Sequence, residues 1–122
     1  MKAFILLAMI FMHIVDDYYL QGILASMKQK SWWTKNAPDK LYRNDYWVAL
    51  AMHSMSWSFM ILLPIAIFYG FNIDWLFVSM FFVNAEIHLV VDDLKANRRK
   101  INLFVDQSIH MVQIFITAAV LL

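Results

Sequence analysis

Four apolar blocks divide this chain, with short polar segments between them. They run over about residues 2–27, 45–70, 72–94 and 101–122. Each exceeds the roughly 20 residues that a helix needs to cross a bilayer. Helices joined by short connections run antiparallel as neighbours. The expected fold is therefore all-α: a polytopic membrane protein forming a four-transmembrane-helix bundle, one domain over residues 1–122. Composition supports lipid-facing helices over a soluble core, since 62% of residues are hydrophobic against about 45–50% in ordinary soluble domains. Two Gly and two Pro leave little of the chain for loops.

The first block also has features of a signal peptide: Lys2, the apolar run Ala3 to Met12, and small residues at Ala25 and Ser26. Against that reading, His13, Asp16 and Asp17 interrupt the block before any cleavage site. In the second block Pro64 removes a backbone donor and predicts a kink. Gly70 suits the end of that helix, and Asp74 suits the first turn of the next.

Net charge is +1, which gives no reason to expect a nucleic-acid partner. The distribution of charge is more informative. Apart from Lys2, every Lys and Arg lies in residues 28–44 or 95–100. Basic residues with Trp32 and Trp33 suit a headgroup region. By the positive-inside rule both basic segments are cytoplasmic and both termini are outside. Cysteine is absent, which excludes disulfides and thiolate metal sites.

Polar residues inside the apolar blocks follow helical spacing. His13, Asp17 and Gln21 step by four. Asn84, His88, Asp92 and Lys95 step by four, four and three; Asp106, His110, Gln113 and Thr117 step by four, three and four. Each set forms one stripe along a helix. Lipid does not tolerate such stripes, so they should face one another. His53 lies roughly 13 Å into its helix from the basic side, at 1.5 Å per residue. All four histidines then fall toward that side.

Neutral imidazole and carboxylate together bind divalent ions, and pairs four apart on several helices supply ligands for one ion or two. The expected ligands are His13, Asp17, His53, His88, Asp92, Asp106 and His110, with Zn favoured and Mn, Fe or Mg as alternatives. Asp16, Asp93 and Glu86 are placed to orient histidines or act as general bases. Asp16 and Asp93 are the catalytic candidates, with metal-activated water as the chemistry. Plainer readings exist for some of these residues. A lone histidine such as His53, with only Ser54, Ser56 and Ser58 nearby, is commonly a satisfied core residue. Asp93, within a turn or two of Arg98 and Arg99, reads more simply as their partner at the basic rim. The Met and aromatic residues fit packing and lipid contact.

Three ordered motifs carry a resemblance over nearly the whole chain: His13-x-x-x-Asp17-x-x-x-Gln21, His88-x-x-x-Asp92 followed by Lys95, and Asp106-Gln107-x-x-His110, with His53 between the first two. Together they resemble a family of small bacterial and phage membrane proteins known as domain of unknown function thirty-three oh seven. The resemblance implies a prokaryotic or phage integral membrane protein with important His and Asp positions, and implies no substrate. This chain doubles two of the acids, as Asp16-Asp17 and Asp92-Asp93, where the family pattern has one; four-residue spacing favours Asp17 and Asp92 as the site members.

Three functions follow as expectations. One is a metal-dependent hydrolase of a lipid-linked or phosphate-bearing substrate in the bacterial inner membrane, whose basic rim attracts anionic headgroups. Another is a proton or divalent-cation transporter using the same residues as a relay; the apolar outer halves of the second and third blocks count against a simple pore. The last is a non-catalytic phage or bacterial membrane accessory protein, in which the polar network only holds the bundle together. The lipid bilayer is the expected partner. A bundle this small has little room for a substrate pocket, which points to a homo-oligomer.

Overall fold

A computed structural model describes residues 1–122. The chain is all-helical: α1 (Lys2–Val15) passes into a π turn (Asp16–Leu20), followed by the short helices α2 (Leu24–Met27) and α3 (Lys30–Asn36), a 3-10 turn (Lys40–Tyr42), and the long helices α4 (Asp45–Phe68), α5 (Trp75–Ala96) and α6 (Leu103–Leu121). Four helical stretches are long and apolar enough to cross a membrane: Lys2–Leu20, Lys40–Phe68, Trp75–Ala96 and Leu103–Leu121.

Local chemistry sets the helix ends. α4 continues through Pro64 and closes in a Schellman arrangement, with Gly70 N–H donating to the Ile67 carbonyl and Phe71 N–H to the Ala66 carbonyl. Gly70 takes φ 61°, the left-handed value that glycine adopts without strain. Asp74 and Asn102 cap α5 and α6, accepting from Phe77 N–H and Val105 N–H at 2.9 Å each.

Two sequence expectations change. The first apolar block is not one helix to Met27: it breaks at residues 21–23, where Gly22 has φ +53°, and its membrane-length part ends at Leu20. The polar segment that follows is not simply a loop, because α2, α3 and the 3-10 turn occupy much of it.

The outward faces are rich in apolar side chains, among them Phe4, Leu7, Phe11, Phe59, Phe104 and Phe115. Inside, the bundle has two storeys. Away from the basic segments, Ile5 and Met9 of α1 pack with Ile61, Leu62 and Ile65 of α4 and Ile114 and Ala118 of α6. Toward the basic segments, buried polar residues replace this core: His13, Asp16, His53, His88, Asp92, Asp106 and His110. Trp57, fully buried, belongs to the apolar cluster and touches the histidines, so it forms the partition.

Candidate metal centre

Four helical segments converge on the polar storey. The π turn delivers Asp17, α4 delivers His53, α5 delivers His88 and Asp92, and α6 delivers Asp106 and His110. The predicted stripes of α5 and α6 do face each other, since His88 and His110 stack with ring centroids 4.1 Å apart. The six residues form three overlapping trios: Asp17, His53 and His88; His88, Asp92 and His110; Asp17, Asp106 and His110. Within each trio the ligand atoms lie within 4.8 Å of one another.

One group of four atoms has a clear geometry. His53 Nε2 lies 3.1 Å from Asp17 Oδ1 and 3.5 Å from Asp92 Oδ2. His88 Nε2 lies 3.5 Å from Asp92 Oδ2 and 3.7 Å from Asp17 Oδ1. Three of these separations are long for hydrogen bonds. They are close to the separation of two ligand atoms on one ion, roughly 3.3–3.4 Å when metal–ligand bonds are about 2.0–2.1 Å, and it is the trios that bring three ligand atoms close enough to hold one. His88 is fully buried and neither of its ring nitrogens has a hydrogen-bond partner. Stacking on Trp57, at 4.3 Å between centroids, and on His110 fixes its ring. A buried polar atom with no partner is costly, and here such atoms stand in a group that could hold a metal ion.

Neighbouring residues set the ring orientations. His110 Nδ1 pairs with Gln113 Oε1 at 3.1 Å, which leaves Nε2 as the lone pair facing Asp106 and Asp92. Gln113 is itself held by Asn84, whose amide donates to Thr117 Oγ1. His53 Nδ1 faces Asp16 Oδ2 at 3.7 Å, and Ser56 Oγ donates to Asp16 Oδ1 at 2.6 Å. Asp16 therefore stands behind His53 in the position of an orienting carboxylate, rather than on the open side where a general base would act.

His13 does not join a trio. Trp57 Nε1 donates to its Nδ1 at 2.7 Å, and its Nε2 donates to Gln107 Oε1 at 2.9 Å, so both ring nitrogens are occupied. Gln107 then donates to Asp17 Oδ2 at 3.1 Å and to Asp106 Oδ2 at 2.9 Å. His13 acts on the centre through this amide. Asp93, the other catalytic candidate, points away: its partners are Arg98 Nε at 3.3 Å and Asn97 Nδ2 at 2.8 Å. Glu86 is exposed. Gln21 turns back to the Asp17 carbonyl at 2.7 Å.

The basic segment contributes one residue that its sequence context conceals. Lys28 is buried, and its Nζ lies 2.9 Å from Asp92 Oδ2. Nearby, Lys30, Lys40 and Arg43 line a cleft of about 330 Å³ walled by Trp33, Tyr42 and Tyr46. Asn97 joins the two features, accepting from Lys30 N–H at 2.7 Å and donating to the Lys28 carbonyl at 2.9 Å. Compared with known protein families, curated proteins and solved structures, the chain matches none.

Proposed function

We propose that this chain is an integral membrane protein whose bundle holds a divalent metal, Zn first, close to the cytoplasmic face, and that it is a hydrolase of a lipid-linked or phosphate-bearing substrate. The observation that carries the metal is the convergence of buried His and Asp ligand atoms in three overlapping trios, with Asp17, His53, His88 and Asp92 oxygens and nitrogens 3.1–3.7 Å apart around the ring they form. Charge supports it independently. Asp16, Asp17, Asp92 and Asp106 converge on the histidines, and only two lysines pair with them, Lys28 with Asp92 at 2.9 Å and the half-exposed Lys95 with Asp106 at 3.7 Å. Intramembrane carboxylates cost about 3 kcal/mol each on insertion scales. Four of them approach the whole stability of a domain, about 5–15 kcal/mol, so compensating cations are required.

Held by one trio of these ligands, a metal would keep a fourth position for a water and would supply hydroxide near neutral pH. The protein's own contribution is to hold the ligands, to wall them off from the apolar storey with Trp57, and to offer Lys28 and the neighbouring basic cleft to an anionic group. The positive-inside rule supports cytoplasmic basic segments and outside termini, and the resemblance of the three motifs supports a bacterial inner membrane or phage setting. A homo-oligomer remains part of the proposal, because one bundle is small.

The transporter reading draws on one observation, the polar line from His110 through Gln113 and Asn84 to Thr117. The line ends at Thr117, whose hydroxyl donates back to the Gln113 carbonyl at 2.7 Å, and the cluster of Ile61, Leu62, Ile65 and Ala118 beside it is apolar, which opposes a relay. A non-catalytic accessory role requires only a charge-balanced network of imidazolium and carboxylate. The test of the hydrolase is phosphate release from phospholipid and soluble phosphomonoesters in mixed micelles. Release that depends on added Zn and disappears in His88→Ala supports the proposal. Metal binding without any release leaves the accessory reading, and metal flux into sealed liposomes favours the transporter.

A further inference from the structure

Resting on the metal reading above, we infer that the centre takes two divalent ions, with Asp92 as the carboxylate shared between them. Asp92 divides its oxygens. Oδ2 faces His53 Nε2 and His88 Nε2, each at 3.5 Å, and completes the group of four atoms. Oδ1 faces the other way, 3.6 Å from His110 Nε2. A carboxylate presented so bridges two ions, which lie about 3.5–4 Å apart in two-metal sites.

The second position has its own unpartnered atoms. His110 Nε2 and Asp106 Oδ1 lie 3.3 Å apart, belong to side chains that are 0% and 1% exposed, and have no hydrogen-bond partner. Their opposite atoms are tied down: His110 Nδ1 to Gln113, and Asp106 Oδ2 to Gln107. Both residues are thus pre-set to offer one free ligand atom each. The second ion would draw on His110, Asp106 and Asp92, and Asp17, whose carboxylate also lies within ligand distance of this pair, stands between the two positions beside the bridging Asp92.

Charge fits the pair of ions. Asp16, Asp17, Asp92 and Asp106 supply as many negative charges as two divalent ions supply positive ones. Lys28, whose Nζ is 2.9 Å from Asp92 Oδ2, and Lys95, whose Nζ is 3.7 Å from Asp106 Oδ2, then offset a bridging hydroxide and one substrate oxyanion. Two ions around a shared carboxylate with a flanking ammonium suit a phosphate ester, whose attacking and leaving oxygens both carry charge in an in-line displacement. A lipid phosphate and a soluble phosphate ester present the same chemistry. Inorganic phosphate and vesicles containing phosphatidic acid, compared as competitors of phosphomonoester hydrolysis, distinguish the two sources.

The test uses the full chain purified in detergent, saturated with Mn(II) and desalted. Elemental analysis should give two Mn per chain, and electron paramagnetic resonance should show a spin-coupled pair. Asp106→Asn and His110→Gln should each hold one Mn with an uncoupled spectrum, as should Asp92→Asn. One uncoupled Mn in the unaltered protein overturns the second ion and leaves the first site standing. No bound Mn or Zn overturns both. If the variants fail to fold, the count and coupling in the unaltered protein still decide.

Discussion

The two storeys of the bundle use the same helices in opposite ways. Beyond Trp57, α1, α4 and α6 meet through Ile5, Met9, Ile61, Leu62, Ile65, Ile114 and Ala118, and the contact is apolar packing. On the basic side of Trp57 the same helices meet through histidines and carboxylates, and several of those atoms lack partners. The apolar storey is complete as it stands. The polar storey could hold a metal ion, with the His and Asp ligand atoms gathered in overlapping trios and several of their rings and carboxylates held from behind. One storey stabilises the bundle, and the other spends stability on a site.

That contrast can be broken experimentally. The largest effect expected is from metal removal. A ligand present at about 1,000 times its dissociation constant stabilises by about 4 kcal/mol, so a chelator should lower the unfolding midpoint. Hydrogen exchange should then rise around Asp17, His88 and His110 while Ile61 and Ile65 stay protected. Uniform loosening would deny the two storeys separate roles. Next is Leu62→Ala, at 1% exposure. Deleting that core side chain should cost about 2–5 kcal/mol, seen in detergent-titrated unfolding, with metal content unchanged.

Gln107→Leu reverses the pattern. It removes the amide that links His13 to Asp17 and Asp106. Outer partners of metal ligands are worth about 10–100-fold in affinity, so a competition titration with a chromophoric chelator should show a loss in that range. His13→Ala should behave alike, and a loss of all binding in His13→Ala would make His13 a ligand. The smallest effect belongs to Asp93→Asn. Its partner Arg98 is 60% exposed, and such pairs contribute about 0–1 kcal/mol. Metal affinity and unfolding should both stay close to those of the unaltered protein.

Much of the site was legible because helical spacing is a local property. The steps from His88 to Asp92 and from Asp106 to His110 place each pair on one face without knowledge of the rest. His53 had no such partner in its own helix; its partners are Asp17 from the π turn and Asp92 from α5, which spacing along α4 cannot reveal. The π turn itself was hidden, because an apolar pattern does not distinguish a π turn from an α turn. It accounts for the first of the doubled acids, bringing Asp17 to the centre and Asp16 to the back of His53. It also accounts for Gln21, whose four-residue step from Asp17 counts for nothing once the helix breaks at Gly22. Lys28 was concealed for another reason. In a segment of lysines beside tryptophans it resembles the rest of the rim, and only the packing of α2 against α4 shows it buried on Asp92. Gln107 carried a weak signal, as the neighbour of Asp106 in a motif.

The central claim is that the buried His and Asp cluster exists to hold a divalent ion. Its most direct test is elemental analysis of the full chain purified in detergent without added metal or chelator, beside His88→Ala. At least one divalent ion per chain in the unaltered protein, and none retained in His88→Ala, is the predicted result. A metal-free protein that stays folded, or a metal content indifferent to His88→Ala, would contradict the account and return the cluster to a network of imidazolium and carboxylate.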